Sequence, residues 1–155
     1  MVRMVSNRRQ RGLTMFKHIL VPTDFTEKSA ASIKIAAKLA SSFSGSCNIT
    51  LLHVIETIEG ASYGEFSDFY EKLRKRSEKK LDELMSAYSK QGVLLCKKIL
   101  LGNRVKEILK FVDEAGVDLV VLSSHKVDPK EGAHGWGTIS YKVGMLAPCP
   151  VMMVK

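Results

Sequence analysis

Two short segments carry polar residues that could contact a phosphorylated ligand. Asp24 follows an apolar run, and Gly137-Thr138 precedes a helix-like apolar segment. A carboxylate can accept hydrogen bonds from a base or ribose, and glycine followed by threonine lets backbone N–H groups and a hydroxyl approach a phosphate at a helix N-terminus. Each also has an ordinary structural interpretation. Asp24 fits the N-cap of a capping box with Glu27, and Thr138 fits a simple N-cap.

The loop at residues 123–137 offers little for catalysis. It holds His125 and His134, but no carboxylate or thiol has the spacing of a catalytic triad or a metal site. Lys126 either adds charge to a phosphate site or is a solvated loop lysine. No Walker A sequence occurs, which argues against a P-loop ATPase. His53, within an apolar strand pattern, is interpreted as a core histidine with satisfied hydrogen bonds.

Alternating apolar segments place these residues in an α/β fold. The alternation of strand and helix patterns predicts one doubly wound parallel sheet with right-handed crossovers. In such a sheet the crevice lies between the first and fourth strands, so Asp24 and Thr138 are expected to face it. The strands are predicted at 16–21, 48–55, 93–100, 118–122 and 151–155, and the helices at 27–44, 66–90, 104–115 and 138–146.

The totals exclude several classes of protein. A chain of 155 residues with 45% hydrophobic and 26% charged residues suits one globular domain. No apolar run approaches the ~18 residues of a membrane span, and no secretory signal is recognisable. We therefore expect a cytoplasmic protein with no membrane association.

The charge and the cysteines are unevenly placed. The net charge is +8, and residues 1–14 contain only basic charged side chains. We expect residues 1–14 to be a basic flexible arm, or an extension before a natural start at Met15, and 15–155 to be the domain. The arm has no aromatic residue to stack on a base, so nucleic-acid binding is not expected. The cysteines have no C-x-x-C spacing, and Cys47 and Cys96 are expected to be buried in strands.

From Met15 to Lys155 the chain resembles the universal stress protein family. The similar segments are FKHILVPTDFTEKSAASIKIAAKLA, LLHVI, GVDLVVLSSH and GWGTISYKVGMLAPCPVMMVK. The resemblance implies a five-stranded parallel sheet in the order 3-2-1-4-5, with about four helices on both faces. It also implies a homodimer paired through the last strand, Val151–Lys155, and bound ATP or AMP in one branch of the family.

The resemblance also assigns candidate nucleotide contacts. The binding branch carries G-x-x-G, nine residues, then G-[ST], whereas this chain has SSHK at 123–126, a longer spacer and Gly137-Thr138. Both leading glycines are replaced. Asp24 matches an adenosine-contacting aspartate, and Val54 matches a residue lining the adenine pocket. The residues carried over as nucleotide-binding are Pro22, Thr23, Asp24, Val54, Ser123, His125, Lys126, Gly137, Thr138 and Ile139.

These observations lead to four hypotheses. The first is a non-enzymatic, dimeric adenine-nucleotide-binding protein in stress response or signalling, with AMP favoured over ATP by the altered loop and with or without Mg²⁺. The second is a dimeric interaction module that has lost nucleotide binding. A slow ATP hydrolase and weak nucleic-acid attachment through the arginine arm are further alternatives.

Overall fold

The computed structural model describes residues 15–43, 46–60, 63–89, 92–124 and 138–155. The predicted arm, residues 1–14, lies outside these ranges. So does Gly45, which the sequence predicts as the residue that ends the first helix. The elements are β1 (His18–Pro22), α1 (Glu27–Ser42), β2 (Asn48–Glu56), a 3₁₀ turn (Tyr63–Phe66), α2 (Ser67–Tyr88), β3 (Leu94–Gly102), α3 (Arg104–Glu114), β4 (Leu119–Ser123), α4 (Ile139–Leu146) and β5 (Val151–Val154).

The strands form one parallel sheet in the order β3-β2-β1-β4-β5, which confirms the predicted topology. Each predicted element is present, with ends shifted by up to two residues. The central strands β1, β2 and β4 are buried on both faces. The near-continuous apolar run of the second strand predicts this burial for β2. Gly116 ends α3 with a φ of +61°, a conformation that glycine adopts without steric cost.

Helices cover both faces of the sheet. On one face α1 packs on β1 and β4, while α2 packs on β2 and β3. Small side chains of α1, including Ala36, Ala37 and Ala40, let this helix lie close to the strands. On the other face α3 and α4 pack together over a second core that includes Val54, Ile108 and Val143. No helix among the described residues is long and apolar enough to cross a membrane.

The buried stripe of α2 differs from the predicted one at its start. The apolar residues at helical spacing in this segment begin with Phe66 and Phe69, which predicts that both are core residues. Both are exposed, and Tyr70 is buried instead. The 3₁₀ turn makes α2 begin at Ser67, which sets the phase of the first helical turn. The hydroxyl oxygen of Tyr70 accepts a hydrogen bond from the backbone N–H of Ile58 at 3.0 Å, so this oxygen has a partner although the side chain is buried.

The prediction for Cys96 is also wrong, whereas Cys47 is buried as expected. β3 forms one edge of the sheet, and Cys96, Lys97 and Lys98 are exposed along it. The apolar pattern of this strand did not reveal that it lies at the edge of the sheet, with a paired strand on one side only. Charged side chains on such an edge disfavour pairing with other chains.

We predict that Leu81→Ala lowers the free energy of unfolding by about 2–5 kcal/mol, because this fully buried side chain of α2 would leave a cavity against the sheet. The matched control is Leu94→Ala, where the leucine is 60% exposed, and its effect should stay below about 1 kcal/mol. Urea unfolding of both variants measures the difference. Equal effects would contradict the placement of α2.

Candidate functional site

The strands β1 and β4 separate at their carboxyl ends. Their register ends at Leu20 with Val120, whereas β1 pairs with β2 as far as Pro22. β4 continues to Ser123, paired with β5. The helix that follows β1, α1, and the helix that follows β4, α4, lie on opposite faces of the sheet. A gap between such strands is where open α/β sheets bind ligands.

Pro22 explains why the pairing stops. The carbonyl of His18 accepts a hydrogen bond from the N–H of Asp118, so it points towards β4. Backbone groups alternate along a strand, and Pro22 therefore also faces β4. Proline has no N–H to donate, so it cannot continue the hydrogen-bond ladder on that side. The sequence thus opens the sheet where the first loop begins.

Asp24 lies in a tight turn immediately after this opening. Its Oδ1 accepts hydrogen bonds from the N–H of Thr26 at 3.0 Å and from the Thr26 hydroxyl at 2.6 Å. The N-cap of α1 is Thr26, whose Oγ1 accepts from the N–H of Ser29. The capping box of Asp24 with Glu27 is therefore wrong. The Asp24 side chain closes a turn over its own backbone, and the helix begins only after that turn.

The Asp24 carboxylate is an exposed anion held in one place. Burial raises the pKa of Asp24, but hydrogen bonds from Thr26 and Ser29 outweigh this effect and hold the pKa below its ordinary value. Both hydrogen bonds described above end on Oδ1. An exposed, ionised carboxylate can accept further hydrogen bonds from hydroxyl or amino groups of a ligand.

The turn holds Phe25 in a left-handed conformation, with a φ of +67°. Such a conformation costs about 1–2 kcal/mol for a residue with a Cβ. A chain of hydrogen bonds compensates for it. The N–H of Phe25 donates to Thr23 Oγ1 at 3.1 Å, this hydroxyl lies 2.9 Å from Ser29 Oγ, and Ser29 Oγ donates to the Thr26 carbonyl at 2.8 Å. A strained backbone conformation that several hydrogen bonds hold in place is typical of functional sites.

His53 contacts this turn, which the sequence did not predict. Its Nδ1 lies 2.9 Å from the Thr23 carbonyl, and its ring centroid lies 4.3 Å from that of Phe25. Burial lowers the pKa of His53, and the nearby positive charges of Arg104 and Lys80 lower it further. The hydrogen bond to the Thr23 carbonyl and the charge of Asp24 raise the pKa, but the net shift is downward. The prediction of a satisfied hydrogen bond is confirmed, but the side chain is half-buried beside the site rather than enclosed in the core.

Four other predicted contacts lie at or near the ends of strands. Val54 is buried near the end of β2, on the face covered by α3 and α4. Ser123 is the half-buried last residue of β4. Pro22 and Thr23 immediately precede Asp24 at the end of β1, and the Thr23 side chain is buried in the turn. Parallel strands end at the same edge of a sheet, so these residues share one rim.

Thr138 is the N-cap of α4, and Ile139 is the first residue of that helix. Thr138 Oγ1 accepts from the N–H of Tyr141 at 3.4 Å and lies 3.2 Å from Ser140 Oγ. The N-cap interpretation is therefore confirmed. An N-cap does not exclude a phosphate contact, because the first N–H groups of a helix have no partner inside it.

Three predicted contacts, His125, Lys126 and Gly137, lie outside the described residues, so their roles stay predictions. Within the described ranges, no group of three His, Cys, Asp or Glu side chains is placed to hold a metal ion.

Comparison with known proteins identifies the family. A profile described as the universal stress protein family matches residues 15–155. The chain belongs to this family. The universal stress protein MJ0577 of Methanocaldococcus jannaschii is 28% identical over 161 residues, which cover 91% of this chain and 96% of that protein. The universal stress protein YxiE of Bacillus subtilis is 26% identical over 151 residues, covering 91% and 100%.

Solved structures of universal stress proteins share the fold. The MJ0577 structure superposes with a TM-score of 0.77 at 29% identity, covering 91% of this chain and 96% of that one. An Arabidopsis thaliana family member with AMP bound has a TM-score of 0.62 at 22% identity, covering 90% and 91%. An Archaeoglobus fulgidus universal stress protein in complex with dAMP has a TM-score of 0.62 at 16% identity, covering 90% and 98%.

We predict that Thr26→Ala destabilises the protein by about 1 kcal/mol, because it removes the side-chain cap of α1. It also removes the hydroxyl donor to Asp24. Thr26→Ser keeps the hydroxyl and is the matched control, with an expected change of a few tenths of a kcal/mol at most. Urea unfolding provides the measurement. A harmless Thr26→Ala would show that another residue caps the helix.

Proposed function

We propose that this universal stress protein is a non-enzymatic dimer that binds an adenine nucleotide, AMP or ATP, and acts in stress response or signalling. The observation that carries the proposal is the Asp24 carboxylate, fixed in a turn at the opening between β1 and β4. The carboxylate is not used to cap α1.

The nucleoside part of the ligand is assigned to the end of β1 and β2. Asp24 offers its exposed carboxylate to ribose hydroxyls or to an adenine amino group, and hydrogen bonds from Thr26 hold that carboxylate in place. Val54 supplies apolar surface at the neighbouring strand end. Pro22 contributes through its carbonyl, which faces the opening. Thr23 contributes by shaping the turn, because its hydroxyl, N–H and carbonyl are already bonded within the protein.

The phosphate part is assigned to the region between Ser123 and Ile139. Thr138 begins α4, whose first N–H groups and positive end favour an anion. In our proposal His125, Lys126 and Gly137 line the same region. Ser123 and Lys126 stand where the binding branch of the family has glycines, and their side chains take space near the phosphate oxygens. We therefore favour AMP over tightly bound ATP.

Relatives support an adenine nucleotide as the ligand class. Structures with the same fold are described with AMP, with dAMP and with cAMP. All three ligands contain adenine, a five-carbon sugar and a single phosphate. At this edge of the sheet, an exposed aspartate offers a hydrogen-bond acceptor, a valine offers apolar surface, and a helix N-terminus offers N–H donors. Such a ligand needs these three kinds of contact.

We expect AMP to bind purified, nucleotide-stripped protein in titration calorimetry, and to bind more tightly than ATP. Asp24→Asn should weaken AMP binding about tenfold or more, because hydrogen bonds to a charged acceptor are worth about 1.5–3 kcal/mol. Asp113→Asn, an exposed aspartate on α3, is the control and should leave the affinity unchanged.

Three results would change the proposal. No binding of AMP or ATP at millimolar concentration would favour the interaction module without nucleotide. Phosphate release from ATP that disappears in Asp24→Asn would indicate a hydrolase. Equal AMP affinity in wild type and Asp24→Asn would remove Asp24 from the site.

The dimer is proposed to form through β5. This strand is at the edge of the sheet, and its Met152 and Met153 side chains are 38% and 44% exposed. The carbonyls of Pro150 and Val154 accept hydrogen bonds from residues of β4 or its end, so these positions face β4. Because backbone groups alternate, those of Met153 face the open edge and can pair with a second copy.

We predict that Met153→Pro converts the dimer to a monomer in analytical ultracentrifugation. Proline removes the N–H that faces the open edge and keeps the β4 ladder, whose donors and acceptors lie at the alternate positions. Met153→Leu retains the N–H and the apolar surface and is the control expected to remain dimeric. A dimer that persists in Met153→Pro would place the interface elsewhere.

A further inference from the structure

We propose that His53 is a positioning residue, which holds the turn that carries Asp24 in the geometry needed for the ligand. This inference rests on the proposed function, because it concerns the same site. It assigns a ligand-related role to a residue that does not itself need to touch the ligand.

The argument begins where the pairing of β1 with β2 ends. The last pair in the register is Pro22 with Leu52, and the N–H of Thr23 still donates to the Leu52 carbonyl at 2.8 Å. The Thr23 carbonyl then accepts from the His53 ring at 2.9 Å. A side chain thus satisfies the carbonyl at the point where the backbone turns away from β2. The chain can turn there without leaving this carbonyl unpaired.

This contact fixes the tautomer of the neutral ring. A carbonyl oxygen only accepts hydrogen bonds, so Nδ1 of His53 carries the hydrogen in this pair. The neutral ring therefore has its hydrogen on Nδ1 and its lone pair on Nε2. Burial disfavours a second proton and lowers the pKa of His53, and the positive charges of Arg104 and Lys80 act in the same direction.

The same ring supports the strained residue of the turn. Phe25 has a φ of +67°, and its ring lies 4.3 Å from the His53 ring between centroids, with an angle of 36° between the planes. The Nζ of Lys80 lies over the Phe25 ring, 4.9 Å from its centroid. Phe25 is therefore held by contacts from both β2 and α2.

Asp24 lies between two residues that His53 contacts. Thr23 precedes Asp24 and is bonded through its carbonyl, and Phe25 follows Asp24 and is packed through its ring. Fixing both neighbours limits the directions that the Asp24 side chain can take. Without His53 the turn would lose the partner of the Thr23 carbonyl and the support of the left-handed residue together. Part of the binding free energy of the ligand would then be used to order the turn, and the ligand would bind more weakly.

The test compares three replacements of His53 in the full chain. Asn places an amide N–H close to the position of Nδ1, Gln places it farther along the side chain, and Leu has no donor. We expect His53→Leu and His53→Gln to weaken AMP binding about tenfold, the effect of one lost hydrogen bond with its unpaired acceptor. His53→Asn should recover most of the affinity. Urea unfolding of each variant shows whether the loss of AMP affinity merely follows a loss of protein stability.

Nitrogen-15 NMR of the wild type provides a readout that needs neither a variant nor a nucleotide. It should show His53 neutral at pH 7 with its hydrogen on Nδ1. A hydrogen on Nε2 would overturn the proposed contact, and so would equal AMP affinities in wild type and His53→Leu. If the wild type binds no AMP, the proposed function fails. The role of His53 as a support for a ligand site then fails with it, even if the NMR result confirms the contact.

Discussion

The site depends on one missing hydrogen-bond donor. Pro22 faces β4 and has no N–H, so β1 leaves β4 while it remains bonded to β2. Pro22 and Ser123 end the two strands that border this opening, and Val54 lies near the end of β2, the next strand. A residue with an N–H at position 22 would let the ladder continue and bring β1 and β4 together where the proposal needs room for a ligand.

The opening alone would leave a loose loop, and the rest of the local sequence makes it rigid. Asp24 closes a turn onto Thr26, and Thr26 then caps α1, so two short polar residues divide the tasks of turn and cap. The strain at Phe25 is balanced by the buried hydroxyls of Thr23 and Ser29. The carboxylate is consequently held in one place by the protein itself, which would lower the entropy cost of the proposed binding.

The fold could be predicted from the sequence because apolar periodicity, glycine and proline positions, and the resemblance to the family all indicated the same sheet. The site was less predictable. Asp24 and Thr26 are both good cap residues, and only the point where the turn closes decides between them. Phe25 gives no sign of a left-handed backbone, since glycine and asparagine are the usual residues there. The contact of His53 with Thr23 joins residues 30 positions apart and depends on strand register.

The two edges of the sheet differ in a way that bears on assembly. β3 exposes Lys97 and Lys98, and Lys97 forms an ion pair with Asp82 at 2.6 Å, so a strand approaching this edge would have to displace water from charged groups. β5 exposes Met152 and Met153, flexible apolar side chains that pack well against irregular surfaces. Pairing is therefore favoured at β5. Since β5 is bonded along β4 up to Ser123, a second copy bound at this edge would also restrain the strand on one side of the opening, which would link assembly to the proposed ligand site.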